Sequence, residues 1–320
     1  MCPTHTCAPI LTINLKRPIA DNLSIQPLSS KAFVDIGSAI QTYVHSIINL
    51  DWCYVLIKKT SKVIELYRHP VKSFTSERLD QLEVSNGKVE GDRVLAFRFA
   101  DKGAPDDFSW QKKHNFVALV NTPGISQLEM RFDTDSRILS LKLGRELLMS
   151  GSIDLEEDRS DLSEAVSEFV SSLEINPLVG HPERLPLNLI GDGRQALFHD
   201  SEIGGVTLYS SESLAALQAS IGTDVDGRRF RTNVVISGVE AWEELSWTGR
   251  LIIGDGEFEI EKTVTRCLAT HVNPVDGCRD QEIMKSLIEA NEFKLPTFAI
   301  RLNPLNVDSI IRVGDVVSTT

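Results

Sequence analysis

From Lys62 the stretch VIELYRHPVKSF alternates apolar and polar positions and stops at Pro70, which predicts a strand that delivers Lys72 and Ser73 on a polar loop. Leu82-Glu83-Val84, the turn Ser85-Asn86-Gly87, and Gly91-Asp92-Arg93 leading into VLAFRF continue the pattern. A β-rich unit with little helix is therefore expected through about Leu148. The period then changes. Over residues 154–174, Leu162, Ala165, Val166, Phe169, Val170 and Leu173 recur at three-and-four spacing behind an acidic front, predicting a helix with Ser160 or Asp161 as its N-cap. SSESLAALQASIG predicts a second helix closed by Gly222.

Beyond Arg229 the alternation returns in FRTNVVISG, in RLIIGD with its Asp-Gly turn, and in FEIEKTVTRC, a run that ends on Cys267. An aromatic patch, AWEELSW, interrupts it. A helix over DQEIMKSLIEANEF and a closing strand in SIIRVGDVV complete the chain, with no internal repeat. This punctuation divides the chain into an N-terminal extension (1–60), a β-rich unit (61–150), an acidic connecting helix (151–180) and a C-terminal unit (181–320).

With 42% apolar and 24% charged residues in 320, the composition is that of an ordinary soluble globular protein. The net charge of −12 argues against a surface built to neutralise many phosphates, so no nucleic-acid partner is expected. Charge is unevenly spread: residues 1–62 hold six Lys/Arg and three Asp/Glu, about +3, leaving about −15 for the rest. The first 18 residues lack the features of a secretory signal or transit peptide. Ile40 to Ile57 is apolar enough to raise the question of a membrane span, but His45, Asn49 and Asp51 interrupt it, and a buried or interfacial helix is the reading. No membrane association is expected outside residues 1–60. Five scattered cysteines without CxxC spacing point to free thiols in a reducing, cytoplasmic setting, and exclude a zinc ribbon or a cluster-binding loop.

The seven histidines contain no HExxH or H-x-H, and GxSxG, P-loop and GxGxxG motifs are absent. Gly191-Asp192-Gly193 and Gly254-Asp255-Gly256 read as turns. His69 and His271 read as structural. Cys267 closes a strand behind Arg266, a cation that favours the thiolate, the form that acts as nucleophile or metal ligand. Packing as a small apolar group is the alternative for such a cysteine. Lys72-Ser73, Arg93 and Arg231-Thr232-Asn233 each lie near a strand end, where donors for an anionic ligand would gather, or are solvated surface charges.

In their order along the chain, YRHPVKSF, RFRTNVVISG, SWTGRLIIGD, TRCLATHVNPVDG and IRVGD resemble the MOSC family, molybdenum-cofactor sulfurase C-terminal domains with their β-barrel partner, over about residues 63–318. The layout is similar to that of the mitochondrial amidoxime-reducing components and their bacterial relatives. The resemblance implies an α+β, mainly β fold: a MOSC-type β-barrel with a β-rich N-terminal domain and a few helices. It implies a molybdenum cofactor (Mo-molybdopterin) with Cys267 as metal ligand and catalytic residue, and Lys72, Ser73, Arg93, Arg231, Asn233, Thr265 and Asp200 as cofactor-binding residues. Soft sulfur suits the ion. The implied activity is reduction of N-hydroxylated compounds (amidoximes, hydroxylamines, N-oxides) with electrons from a separate b-type cytochrome or a ferredoxin with its reductase. The alternative is a cofactor carrier or sulfur-transfer protein using a Cys267 persulfide, the branch of the family associated with pyridoxal phosphate. Three places depart from the family pattern: Thr232 stands for the usual Pro, Ala299 for the usual Gly, and His199-Asp200-Ser201-Glu202-Ile203-Gly204 stands where the family has Asp-x-Ser-Pro.

Overall fold

The computed structural model describes residues 60–320; the readings that fall on residues 1–59, the helix over Ile40–Ile57 among them, lie outside the described residues. Sixteen strands and three α-helices are present among the described residues, so the fold is mainly β, as the pattern predicts. In chain order the first strands are β1 (Ser61–Arg68), β2 (Glu77–Leu79), β3 (Gln81–Ser85), β4 (Lys88–Val89) and β5 (Ala96–Arg98). A meander of β6 (Leu128–Asp133), β7 (Ile138–Leu143) and β8 (Glu146–Ser152) leads into helix α1 (Glu156–Ser172). Then come β9 (Asn188–Ile190), β10 (Val206–Ser210), α2 (Ser211–Ile221), β11 (Val234–Ser237), β12 (Arg250–Ile253) and β13 (Gly256–Thr265). Helix α3 (Ile283–Asn291), β14 (Thr297–Pro304), β15 (Asp308–Arg312) and β16 (Val316–Thr319) end the chain.

Seven strands close into a barrel in the order β1-β11-β10-β14-β13-β12-β16, with β16 pairing back onto β1. An odd number of strands cannot alternate in direction all the way round, so one neighbouring pair has to be parallel. That pair is β10 and β11. A parallel pair needs a crossover, which α2 supplies. Ser210 caps α2 through its side chain, and Gly222 ends it in the left-handed conformation as the sequence predicts. The first strand of the 61–150 stretch thus stands in the barrel beside strands from residues 206–319.

The barrel interior is filled by residues such as Leu66, Leu208, Ile236, Leu251, Phe258 and Leu302, each 0% exposed. A second core lies under the meander, where Leu162, Val166 and Val170 of α1 pack on Leu128, Met130 and Leu141. Burying three such side chains contributes on the order of 5 to 9 kcal/mol. The start of α1 differs from the expectation. Leu155, not Ser160 or Asp161, is its N-cap, and Glu156, Glu157 and Asp158 occupy the first turn, with Asp158 accepting from Ser152 N at 2.6 Å. Carboxylates at the positive end of the helix dipole extend it beyond the hydroxyl caps. The run TFAIRLNP, continuously apolar over its first half, is β14, a strand that the alternation rule passes over because it is buried on both faces. No helix among the described residues is long and apolar enough to cross a membrane.

Candidate functional site

The loop after β1 and the segment entering β5 run side by side at one end of the barrel. Lys72 N donates to Leu95 O at 2.8 Å, and Arg93 N to His69 O at 2.7 Å. Arg231 joins them just before β11, and its guanidinium donates to Phe74 O. Ser73 (φ 69°), Arg93 (φ 53°) and Arg231 (φ 49°) all hold the left-handed conformation. Non-glycine residues held there cost energy, and such positions concentrate at functional sites.

These three line a cavity of about 480 Å³ together with Lys72, Asp200, Asn233, Thr265 and Cys267. All eight residues singled out in the sequence, from five separate stretches of chain, meet at one place. Thr265 is the end of β13, paired to Thr297, and Cys267 follows as the residue capping a short 3-10 turn, Leu268–His271. The Cys267 thiol is free and half-buried, and its carbonyl accepts from Thr270. Asn233 is buried and its carboxamide is engaged within the protein: Oδ1 accepts from Thr207 Oγ1 at 3.0 Å and Nδ2 donates to Tyr67 O at 3.2 Å. It thereby ties the end of β1, and so the Lys72 loop, to β10.

The charges are held by a second layer. Asp92, fully buried, accepts from His69 N at 2.7 Å and pairs with Arg93; burial would raise its pKa, but Arg93 and the neighbouring histidines hold it down, at about 2. Lys72 Nζ donates to Phe198 O at 2.9 Å and to Asp200 at 2.6 Å, and its burial lowers its pKa. Desolvation in the cleft acts to raise Asp200, but Lys72 and then Lys113 pull it to about 2. Burial, then Arg93, pushes Arg231 down to about 9, so it stays charged at neutral pH. Arg266 is fixed by donating to Phe298 O and Phe230 O, with its guanidinium 5.5 Å from the Phe230 ring centre. Thr232, at the position of the usual proline, offers Arg266 its hydroxyl at 3.5 Å.

Several lining residues had no signal in the sequence, Lys113 and His199 among them. Lys113, from the 3-10 turn Lys113–Asn115, faces the Asp200 carboxylate at 3.7 Å and the Cys267 thiol. Burial alone would lower its pKa; Asp200 and Cys267 raise it. His199 is buried with Nε2 lacking a partner, 3.9 Å from Asp92, and burial holds its pKa at about 3, so it is neutral. His69 bonds to Ser76 and His271 to Met284 N, both in structural roles.

Basic side chains outnumber carboxylates in the lining by eight to one, inside a chain of net charge −12. Such a cluster fits an anionic ligand. An orphaned buried imidazole nitrogen, left-handed turns that aim donors inward and a thiol at one side fit a phosphate-bearing cofactor whose metal takes one protein sulfur. Among the described residues no three His, Cys, Asp or Glu come together to hold a bare ion.

Residues 197–318 match the MOSC domain, as the motifs lead one to expect. The chain is 24% identical over 251 residues to mitochondrial amidoxime-reducing component 1 of Homo sapiens, an alignment covering 69% of each chain. Its Mus musculus counterpart is 35% identical over 127 residues, 37% of each chain. The molybdenum cofactor sulfurase of Drosophila ananassae is 24% identical over 277 residues, 80% of this chain and 34% of that one, so the match spans about a third of the sulfurase. Among solved structures, the YuaD protein from Bacillus subtilis is similar at 12% identity with a TM-score of 0.37, covering 81% of this chain and 94% of that one.

Proposed function

We propose that this chain is a molybdenum-cofactor-dependent oxidoreductase that reduces N-hydroxylated compounds with electrons from a separate donor protein, working in a reducing, cytoplasmic setting. The observation that carries the reading is the convergence of one half-buried thiol with a cluster of fixed cations in a single cavity. In the net reaction R–NHOH takes two electrons and two protons and gives R–NH2 and water. The cofactor, when bound, supplies the two-electron chemistry.

The chain's residues do the rest. Lys72, Ser73, Arg93 and Arg231 would hold the pterin and its phosphate, pre-organised because Asp92 and the Phe74 and Phe198 carbonyls orient the cations before any ligand arrives. Cys267 would give the metal its protein thiolate, with Arg266 locked behind it on two carbonyls. Asn233 holds the Lys72 loop in place, and Lys113 faces the thiol from the N-terminal segment. Electrons come from a b-type cytochrome or a ferredoxin with its reductase, since no cluster-binding cysteine spacing occurs in this sequence.

The test is molybdenum per chain in protein made in a host that synthesises the cofactor, with benzamidoxime turnover on a chemically reduced donor. Near-stoichiometric metal with turnover, both lost in Cys267→Ala while the fold persists, is the expected result. Full activity in that variant would sink the thiolate assignment. The similarity to a cofactor sulfurase over 80% of the chain favours a second reading, a cofactor carrier or a sulfur-transfer protein with a Cys267 persulfide. Metal transfer to an acceptor apoenzyme, or a persulfide on Cys267, without amidoxime turnover would select it.

A further inference from the structure

We infer that Lys113 and Lys262 make this cavity select its N-hydroxylated substrates by charge, favouring anionic over neutral and neutral over cationic ones. The inference rests on the reductase reading and narrows its substrate class.

Of the eight lining cations, four have a carboxylate of their own: Lys72 with Asp200, Arg93 with Asp92, Arg229 with Asp280 and Arg301 with Glu261. Arg231 and Arg266 donate to backbone carbonyls and are deeply desolvated, so a bound anionic cofactor is their natural counter-charge. Lys113 and Lys262 remain. Their side chains are 39% and 60% exposed, the most solvent-open of the cations in the four ion pairs and the two of them. The carboxylate near each is shared with a cation that stands closer to it. Asp200 lies 2.6 Å from Lys72 but 3.7 Å from Lys113, and Glu261 is held by both donor ends of Arg301 while Lys262 stands 3.6 Å off.

The two lysines reach the cavity from different parts of the chain, Lys113 from the segment before Phe116 and Lys262 from the irregular middle of β13. The other lining residues of the Lys113 segment, Ala118, Leu119 and Val120, are uncharged, so no carboxylate there offsets the field. A substrate carrying a carboxylate gains attraction in this setting and a quaternary ammonium is repelled. The reaction adds a consequence: a neutral amidoxime becomes an amidinium cation, which the same lysines drive out.

The test compares 4-carboxybenzamidoxime, benzamidoxime and 4-trimethylammoniobenzamidoxime on the molybdenum-loaded protein with a chemically reduced small donor, so that no partner protein docks. kcat/KM is expected to fall in that order, by roughly three- to tenfold per unit charge at low ionic strength. The order should collapse in the Lys113→Gln/Lys262→Gln double variant. Calorimetric binding of the unreactive 4-carboxybenzamide, benzamide and 4-trimethylammoniobenzamide should follow the same sequence. Equal kcat/KM values across the wild-type series, an unchanged order in the double variant, or a uniform loss for all three compounds overturns the inference and leaves the reductase reading standing. Charge-ordered binding without turnover of any amidoxime supports the charge selection and overturns the reductase reading instead.

Discussion

The two halves of β13 do different work. Up to Ile260 the strand alternates into the barrel, with Phe258 at 0% exposure and in register with β12 on one side and β14 on the other. From the first of two register shifts, between Ile260 and Lys262 and between Thr263 and Thr265, the same strand lines the cavity and hands the chain on to Cys267. A bulge re-aims side chains without ending the sheet. Half of a strand can therefore be committed to packing and half to chemistry, and substitutions on the two sides should separate stability from ligand binding.

The widest separation is expected from Phe258→Ala. It empties a closed core and should cost about 3–5 kcal/mol in chemical denaturation while the folded fraction keeps its cofactor-binding residues. Loss of cofactor at unchanged stability would contradict the division. At the cavity, outside β13, Arg231→Ala should reduce molybdenum content at least several-fold but stability by only about 1–2 kcal/mol, the loss associated with the Phe74 carbonyl it leaves unpaired. Unchanged metal content would remove its anion-binding role.

A pH series tests the same contrast through charge. His69 and His199 are buried and neutral, their pKa values lowered, that of His199 to about 3. The unfolded chain binds protons on both near the ordinary histidine pKa, so the stability tied to their neutral state is intact above about pH 6.5 and drains away as pH falls below it. At pH 5 His199 should cost about 2 kcal/mol, and His69 adds to the loss in the same direction. Asp92 adds a second loss lower down, from about pH 4 towards 2, because its folded pKa is depressed. Urea midpoints from pH 7 to 4 should fall with a slope that His199→Gln reduces; a flat profile would mean that the imidazoles are not buried neutral.

The smallest effect concerns Ala299, buried in β14 with φ at 72°. Glycine adopts that conformation freely, which gives a physical reason for the glycine that the family pattern carries there. Ala299→Gly should raise stability by up to about 1 kcal/mol, read as a shift in Tm of a few degrees. A drop would show that the alanine methyl contributes more packing among Phe230 and Phe298 than its backbone strain costs.

Much of this was legible along the chain. Strand runs, the acidic helix and the capped helix ending at Gly222 are local patterns, set by alternation and by end-capping chemistry, and appear where the residues place them. Lys72, Ser73, Arg93, Arg231 and Cys267 could be picked out because each sits at a strand end inside a recognisable motif. Lys113 and His199 could not. Lys113 lies more than 150 residues from Cys267, in a stretch with no period, and an isolated histidine before an aspartate carries no motif. The N-cap of α1 was misplaced because a helix can start without a hydroxyl cap when acids line its first turn.

The sequence by itself determined that the chain is mainly β, where its helices run, where the thiol stands relative to a strand end, and that the net charge is negative. Those properties depend on neighbours a few residues away. Only the tertiary structure decided that β1 closes a seven-stranded barrel against β11 and β16, that one parallel pair is needed to close it, and that cations from six stretches of an acidic chain face one cavity. Convergence of that kind is fixed by strand pairing and loop closure between residues far apart in the chain, and no local spacing records it.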